Sequence, residues 1–402
     1  MPRAANRIGT VQRYIFGELD EAIAREERSG RTICDLSQSD PDWDPSPTVV
    51  HALVTAAQRP QAHRYPPYDG DMALRRAFAE WYERRYDAPC TPEHVLILEG
   101  SKTGIALLPL AYLDVGDVGL LPDPGYPTYR AGIALAAAQG VSMPLHAELG
   151  YLPSYIDLDQ DRLQRAKLMF LNYPHNPTGA VATRAFLEDT VEFAKRYDLL
   201  VAYDLAYAQI VLQGPKPALA LRPLAGADAL TVELFTFSKS YDMQGYRLGA
   251  AVANPDLLGP LRKVHENVMA GAFLPIQAAG RAALDAHEDA ALEERLEGYR
   301  RRQEVLYEAL KDLGAHVTHP IATVYLWLRA PRGLTGERFA QELLRGAGIA
   351  VTPGTAFGQQ GHAYVRISLT ASDDAIEEAA DRLRRCYPQG LEARPQQALQ
   401  PQ

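Results

Sequence analysis

Short apolar runs alternate with longer helical segments from about residue 95 onward, and this alternation constrains the fold most strongly. Strands are predicted at 95–98, 118–121, 168–171, 199–203 and 232–237. The segments 131–138 and 186–197 have a helical pattern and lie between these strands. Strands separated by helices predict a mostly parallel sheet with helices on both faces. We therefore expect an α/β fold.

A second pattern begins near residue 288. Apolar residues recur at helical spacing within a charged segment and predict one long amphipathic helix, at Leu292, Leu296, Tyr299, Leu306, Leu310 and Leu313. Further strands are predicted at 324–328, 349–352 and 364–368, with a helix at 336–345. These elements indicate a smaller α/β domain in the C-terminal part of the chain.

The length of 402 residues exceeds one compact core and predicts two domains. We assign 48–287 to a large domain. We assign 288–387, together with the N-terminal segment 1–47, to the small domain. The tail 388–402 is rich in proline and glutamine, a composition that predicts disorder.

Composition narrows the classes of partner. The net charge is −9 and the pI is about 5.6, so nothing favours nucleic acid. No apolar run approaches the roughly 20 residues of a membrane helix, and we expect no membrane partner. The N-terminus lacks the apolar stretch of a signal peptide, and the three cysteines are far apart, which favours reduced thiols in the cytoplasm. The ten histidines form no paired ligand motif, so no metal site is expected.

A lysine follows the predicted strand 232–237 almost at once, and an arginine comes eight residues later. Burial at a strand end favours the neutral, nucleophilic form of the Lys239 amine, which suits carbonyl chemistry. The Arg247 guanidinium can hold an anion through its planar fork of donors. Together they predict the Schiff-base lysine and phosphate anchor that pyridoxal 5′-phosphate (PLP) requires. A surface lysine in a loop is the simpler alternative, and the rest of the chain argues against it.

Other polar residues also follow predicted strands. In an open α/β sheet, ligands bind beyond the carboxyl ends of the strands. Ser101, Lys102 and Thr103 open a helix, where backbone N–H groups and hydroxyls can hold a phosphate; a simple helix cap is the alternative. Tyr126 follows the next strand and can stack on a cofactor ring, or pack in a turn.

Two more strand ends present polar groups. Asn176 lies in the loop 172–179, which two prolines and a glycine make rigid. Asp204 ends the strand 199–203, and Tyr207 follows three residues later. A carboxylate there can pair with a protonated pyridine nitrogen, and Tyr207 can donate to the ring oxygen. A helix N-cap is the alternative role for Asp204.

The order of these motifs resembles a known family. Asn-Pro-Thr-Gly at 176–179, Asp204-x-x-Tyr207 and the lysine motif at 238–249 are similar to the fold-type I, class I/II aminotransferases of the aspartate aminotransferase superfamily. Among these, the chain is similar to the LL-diaminopimelate and N-succinyldiaminopimelate aminotransferase-like enzymes. Segments 65–70, 74–77 and 364–368 fit as well, and the resemblance covers about residues 30–387. It implies a large domain with a mostly parallel, seven-stranded sheet flanked by helices, and a smaller α/β C-terminal domain.

The resemblance also implies roles by position. Lys239 would form the Schiff base with PLP and move the proton, with Asp204 and Tyr207 as the other catalytic residues. The implied cofactor-binding residues are Tyr65, Ser101, Lys102, Thr103, Tyr126, Asn176, Asp204, Tyr207, Thr236, Ser238, Lys239 and Arg247. Arg366 would clamp the substrate α-carboxylate, with Asn176 and Ser39 as further substrate contacts. Tyr65 would reach the neighbouring subunit's phosphate in a homodimer.

The implied reaction moves an α-amino group between an amino acid and a 2-oxo acid by a ping-pong mechanism. An elimination lyase, a cyclising synthase or an oxidative deaminase would use the same cofactor residues and stays open. A non-catalytic regulator would need an added DNA-binding domain, for which 402 residues leave no room. Ser37 and Ser39 stand where the family commonly has glycine, which either redirects specificity or is neutral. No motif identifies the amino donor or acceptor.

Overall fold

The computed structural model describes residues 2–11, 15–214, 219–285 and 288–391. Its strands are β1 (Cys34–Asp35), β2 (Val95–Leu98), β3 (Val118–Asp123), β4 (Gln139–Pro144), β5 (Ala166–Asn172), β6 (Leu200–Asp204), β7 (Thr231–Thr236), β8 (Gly249–Ala253), β9 (Tyr325–Arg329), β10 (Ile349–Ala350), β11 (Thr352–Pro353) and β12 (Tyr364–Ser368). Its α-helices are α1 (Ile15–Arg28), α2 (Pro47–Ala57), α3 (Met72–Tyr86), α4 (Ser101–Tyr112), α5 (Pro127–Leu135), α6 (Gln160–Leu163), α7 (Arg184–Tyr197), α8 (Pro255–Val268), α9 (Leu274–Ala283), α10 (Glu288–Asp312), α11 (Gly336–Glu342) and α12 (Asp373–Cys386).

Seven strands form the large sheet, in the order β2-β8-β7-β6-β5-β3-β4. The pairs from β7 to β4 are all parallel, whereas β8 is antiparallel to both of its neighbours. The predicted mostly parallel sheet is therefore confirmed. The residue pattern did not predict β4 or β8. The edge strand β4 is only partly buried, and β8 consists of glycine, alanine and one valine, a composition with little β-propensity.

Helices cover both faces of this sheet. One core cluster packs Phe78 and Trp81 of α3 and Val191 of α7 against one face. Another packs Ile133 of α5 and Leu261 of α8 against the other face. Burial on both sides explains why the central strands are continuous apolar runs rather than alternating ones.

The smaller domain contains two further sheets. Strands β11, β12 and β9 form an antiparallel sheet, and β1 pairs in parallel with β10. The predicted strand 349–352 is thus two short strands in different sheets. Leu36, which follows β1, shares a core cluster with residues of α10 and α12. The sequence thereby brings its N-terminal segment to the C-terminal domain, while the domain boundaries at 47/48 and 287/288 stay predictions.

The C-terminal end of the described chain packs on the small domain. Leu391 is 2% exposed, and its backbone N–H donates to the Leu313 carbonyl at 2.9 Å. Of the tail for which disorder was predicted, 388–391 are therefore held on the domain, and 392–402 lie outside the described residues. Within the described ranges, no helix has the length and apolar character needed to cross a bilayer.

Candidate active site

The carboxyl ends of the parallel strands meet at one edge of the large sheet. Asn172 ends β5, Asp204 ends β6, and Lys239 comes three residues after β7. Strand β12 of the small domain supplies Arg366, whose side chain is 1% exposed. The site therefore lies where the two domains meet, and it joins residues as far apart in the sequence as Asn172 and Arg366.

Lys239 presents a partly buried amine. The amine donates a hydrogen bond to the backbone carbonyl of Ser39. Burial lowers the pKa of Lys239, Tyr325 and Asp40 oppose this shift, and the positive charges of Arg366 and Arg247 add to it. A lysine of lowered pKa is neutral, and hence nucleophilic, for a larger fraction of the time at neutral pH.

A cluster of hydroxyls and N–H groups lies at the start of α4. Gly100 precedes the helix with φ +92, and a Cβ added there would lie 2.7 Å from Nη2 of Arg247. The guanidinium therefore sits against the helix N-terminus, and it also donates to the Gln244 carbonyl at 2.8 Å. Helix N-termini and guanidinium groups both attract phosphate, so this corner has the chemistry of a phosphate site.

The side chains predicted to contact the phosphate differ in their exposure and in their hydrogen bonds. The Thr236 hydroxyl donates to Ser238 Oγ at 2.9 Å, on the loop that carries Lys239. The Ser101 side chain is buried at the first turn of α4. The Thr103 hydroxyl donates back to the Glu99 carbonyl at 3.3 Å and is already engaged within the helix turn. Lys102 lies on the exposed side of that turn.

Asp204 is buried beside aromatic groups. Its Oδ2 accepts a 2.7 Å hydrogen bond from the Tyr129 hydroxyl, and its Oδ1 accepts one from the Ala206 N–H at 3.2 Å. Burial raises the pKa of Asp204 to about 6, and these two hydrogen bonds oppose the rise. Tyr126 packs edge-to-face on Tyr129, with ring centroids 5.8 Å apart. A carboxylate in this setting favours a cationic partner.

Tyr207 is hydrogen-bonded to a residue that the sequence motifs did not single out. Its hydroxyl lies 2.5 Å from the Tyr325 hydroxyl, and both side chains are buried. Residue Tyr325 begins β9, 118 positions later. The sequence marked Tyr325 only as part of a predicted strand. Tyr129 and Asn172 were also missed; Tyr129 lies in the first turn of α5, and Tyr126 is the extended residue that precedes this helix.

The side chains of Asn176 and Arg366 are hydrogen-bonded to each other. Arg366 Nη1 donates to Asn176 Oδ1 at 3.1 Å, and Nη2 donates to the Ser37 carbonyl at 2.8 Å. The guanidinium lies 4.2 Å from the centroid of the Tyr325 ring and 4.9 Å from that of Phe357. Because its oxygen accepts from Arg366, Asn176 presents its NH₂ group as the available donor. Hydrogen bonds and ring contacts together fix the arginine's orientation.

The two serines at the family's glycine positions face different ways. The Ser37 hydroxyl donates to Asp35 Oδ1 at 2.5 Å, while its carbonyl accepts a hydrogen bond from Arg366. The Ser39 side chain is hydrogen-bonded to Tyr325, while its carbonyl accepts from Lys239. Only Ser39 therefore places its side chain among the site residues.

Tyr65 is not part of this cluster. Its side chain is 89% exposed. The other predicted site residues follow the ends of β2, β3, β5, β6 and β7, end β6 or β7, or lie on β12 and in the segment after β1. Within the described ranges, no group of three or more histidine, cysteine, aspartate or glutamate side chains is placed to hold a metal ion.

Comparison with known proteins identifies the class of enzyme. The model of the family "Aminotransferase class I and II" matches residues 31–383. An LL-diaminopimelate aminotransferase of Moorella thermoacetica is 42% identical over 383 residues, which is 95% of this chain and 97% of that protein. One from Halothermothrix orenii is 38% identical, over 94% and 97%.

Solved structures agree with these relatives. Substrate-bound BacF from Bacillus subtilis superposes with a TM-score of 0.91 at 32% identity, covering 99% of this chain and 100% of that one. A Thermus thermophilus aspartate aminotransferase double mutant has a TM-score of 0.88 at 26% identity, over 96% and 100%.

The chain belongs to the class I and II aminotransferases, which depend on PLP. It is an enzyme that transfers an amino group between an amino acid and a 2-oxo acid, and the elimination, cyclisation and oxidation alternatives are not favoured. The donor set fits the cofactor: a lysine of lowered pKa for an aldehyde, a helix N-terminus with an arginine for a phosphate, and a buried carboxylate for a ring nitrogen.

Proposed function

We propose that this aminotransferase takes LL-diaminopimelate as its amino donor and holds donor and cofactor with the residues around Lys239. The observation that carries the site is that one nucleophilic amine and one rigid, buried guanidinium, Arg366, both donate to backbone carbonyls of the segment 37–39. The amine suits the reacting carbon and the guanidinium suits an α-carboxylate. The donor is supported by the names of the relatives from Moorella and Halothermothrix.

PLP, when bound, supplies an aldehyde that bonds to amines and a ring that takes up electrons. Ser101, Lys102 and Thr103 of α4, with Thr236, Ser238 and Arg247, would hold its phosphate. Tyr126 would lie against the ring. Asp204 would pair with the ring nitrogen, and Asn176 and Tyr207 would donate to the ring oxygen.

Lys239 has two tasks in this proposal. Its amine would hold the cofactor until the donor's amine takes its place. Once free, Nζ would accept the proton from the donor's α-carbon and give it back later in the transfer. Arg366 holds the donor's carboxylate during both transfers, so the α-proton stays within reach of Nζ.

The donor carries a second amino acid group besides the one that reacts. Ser39 contributes a backbone carbonyl and a hydroxyl near Lys239, where a family glycine would contribute no side chain. We propose Ser39 as a substrate contact for this reason. Its effect would be on the choice of donor rather than on the chemical step.

The test mixes PLP-loaded enzyme with LL-diaminopimelate in the absence of any 2-oxo acid and measures the aminated cofactor per subunit. One equivalent is expected, with slower or no conversion by other amino acids in a panel. The Lys239→Ala enzyme serves as control and should form no aminated cofactor. Repeated ammonia release or oxygen uptake, without aminated cofactor, would contradict the proposal.

We also propose a homodimer in which Tyr65 reaches the other subunit's phosphate site. Exposed apolar side chains surround Tyr65: Tyr68 is 55% and Phe273 42% exposed. The two segments are in contact, because a Cβ on Gly271 would lie 2.9 Å from Pro66. An apolar surface of this kind supports burial by a second copy.

We propose the cytoplasm as its location. Cys34, Cys90 and Cys386 are all free thiols, and Cys386 is exposed. An exposed free thiol fits a reducing compartment.

A further inference from the structure

Tyr325 is a fully buried tyrosine at the centre of the site to which the roles above assign nothing. It lies on β9 of the small domain, and it contacts Tyr207 of the large domain and Arg366 of β12. Its hydroxyl is hydrogen-bonded to Tyr207 and to Ser39, and its ring lies against Arg366.

We propose that Tyr325 is a positioning residue for the proposed reaction: its hydroxyl links Ser39 and Tyr207 in one hydrogen-bonded chain, and its ring supports the Arg366 guanidinium. The inference rests on the proposed function for the roles of Tyr207, Lys239 and Arg366. The two parts of the side chain act on different partners, so they can be separated by substitution.

The hydroxyl chain orients Tyr207. Three hydroxyl-bearing side chains from three separate segments meet there: Ser39 from the N-terminal segment, Tyr207 after β6, and Tyr325 from β9. Two buried hydroxyls 2.5 Å apart constrain each other's rotation strongly. Tyr207 is thereby held in one orientation, from which it would donate to the cofactor ring oxygen. A phenylalanine at 325 would leave Tyr207 free to rotate its O–H.

The ring supports the carboxylate clamp. Tyr325 packs on the Arg366 guanidinium at 4.2 Å, and Phe357 packs at 4.9 Å. Close cation–ring contacts of this kind reduce the side-chain freedom that a carboxylate ligand would otherwise have to remove. This part of the role needs the ring alone and survives loss of the hydroxyl.

The hydroxyl also tunes the charge at Lys239. Burial raises the pKa of Tyr325, but the charges of Arg366 and Lys239 and the hydrogen bonds from Ser39 and Tyr207 lower it, and the net direction is down. The pKa of Tyr207 is raised well above its ordinary value, so Tyr207 stays protonated and keeps its O–H as a donor. Of the remaining facing groups, Tyr299 of α10 keeps a raised pKa and Asp40 acts on Lys239. Negative charge on Tyr325 would favour the protonated form of the Lys239 nitrogen.

The experiment measures the pH midpoint of the visible absorbance change in PLP-loaded enzyme, which reports protonation of the Lys239 nitrogen joined to the cofactor. Tyr325→Phe should lower this midpoint by about half a unit to one unit, because Tyr325 acts to raise the pKa of Lys239 and phenylalanine cannot. The KM for the amino donor should change little. Tyr325→Leu should lower the midpoint equally and, in addition, raise the KM by roughly tenfold.

Ser39→Gly tests the hydrogen-bonded chain of hydroxyl groups. It should shift the midpoint in the same direction, and Ser39→Gly combined with Tyr325→Phe should shift it no further than Tyr325→Phe alone. The matched control is Tyr299→Phe, which removes a buried hydroxyl without a hydrogen-bond partner among the described residues. Its midpoint should equal that of the wild type.

Two results would overturn the inference: a Tyr325→Phe midpoint equal to that of Tyr299→Phe, or additive shifts in the double variant. Failure of the wild-type enzyme to bind PLP would instead overturn the proposed function. The hydroxyl chain can then still be tested in the cofactor-free protein by ultraviolet titration, in which Tyr325→Phe should remove one phenol that ionises below the ordinary range.

Discussion

The Tyr129 hydroxyl donates a 2.7 Å hydrogen bond to Oδ2 of Asp204, and both side chains are buried. Without a cation beside it, this carboxyl group is held at a pKa of about 6, well above its usual 3.8. A protonated ring nitrogen would reverse that shift, because an adjacent positive charge favours the carboxylate. Cofactor binding and the ionisation of Asp204 are therefore linked.

The linkage predicts a pH-dependent effect of Asp204→Asn on the cofactor-free protein. Since the folded pKa is raised, ionising Asp204 destabilises the folded state. This destabilisation of the folded state is absent below about pH 3.8 and complete above about pH 6. The Asn variant should therefore gain about 3 kcal/mol in free energy of unfolding at pH 8, and nothing near pH 4. Denaturant unfolding at the two pH values measures this.

The control for Asp204→Asn is Asp157→Asn, a change at an exposed aspartate. It should leave stability unchanged at both pH values. The Asp204→Asn protein should also bind PLP more weakly than the wild type. An equal gain in stability at pH 4 and pH 8 would show that burial of this carboxyl group is not the cause.

Arg366→Lys should weaken the binding of the amino donor. Lysine keeps the charge but loses the fork of donors that reaches both Asn176 and Ser37, and it loses the guanidinium contact with the Tyr325 ring. Loss of one charge-assisted hydrogen bond to a carboxylate corresponds to a KM increase of roughly 10- to 100-fold. Steady-state kinetics measures this, with Arg338→Lys on the exposed face of α11 as control. An unchanged KM would mean that another residue holds the carboxylate.

Arg247→Gln should impair binding of the phosphate specifically. The guanidinium lies against Gly100 at the start of α4, where a phosphate would gain from both the charge and the helix N-terminus. PLP affinity should fall by roughly 10- to 100-fold. The affinity for pyridoxal, which lacks the phosphate, should stay the same.

Absorbance titration of the cofactor-free protein with each compound measures both affinities. Arg384→Gln, on an exposed face of α12, is the control and should bind both compounds normally. If Arg247→Gln weakened pyridoxal binding as much as PLP binding, the arginine would be acting on the fold of the lysine loop.

The proposed dimer predicts that two inactive variants restore each other. Lys239→Ala lacks the reacting amine, and Tyr65→Ala lacks the side chain that would reach the other subunit. In a hybrid dimer, the Tyr65→Ala subunit keeps its own Lys239 and receives Tyr65 from its partner. Random exchange makes half of the dimers hybrid, each with one intact site, so about a quarter of wild-type activity should return.

Activity after mixing the two variants, compared with each alone, measures this recovery. Size-exclusion chromatography with light scattering checks that the exchanged species is a dimer. Mixing Lys239→Ala with Arg366→Lys tests whether recovery is specific to Tyr65: each variant keeps its defect within its own site, and no gain is expected. Lack of recovery in a confirmed hybrid would place Tyr65 outside the neighbouring site.

The strand pattern and the motifs predicted most of the large domain. Strands β2, β3, β5, β6 and β7 lie within a residue or two of their predicted ends, because fully buried parallel strands are continuous apolar runs. Strands β4 and β8 escaped prediction because one is a partly exposed edge and the other is built from small residues. Short-range patterns carry little signal for strands whose pairing partners decide their conformation.

By itself, the sequence determined the chemistry available: a lysine and arginine after one strand, an acid and a tyrosine after the next, and an amide in a rigid loop. These are local features, since each depends on a few neighbouring residues. The tertiary structure decided which groups meet. It joined Tyr207 to Tyr325 across 118 positions and Lys239 to Ser39 across 200. It also turned Ser37 away and Ser39 towards the site. Contacts between distant segments depend on how the two domains pack, and no local spacing encodes that.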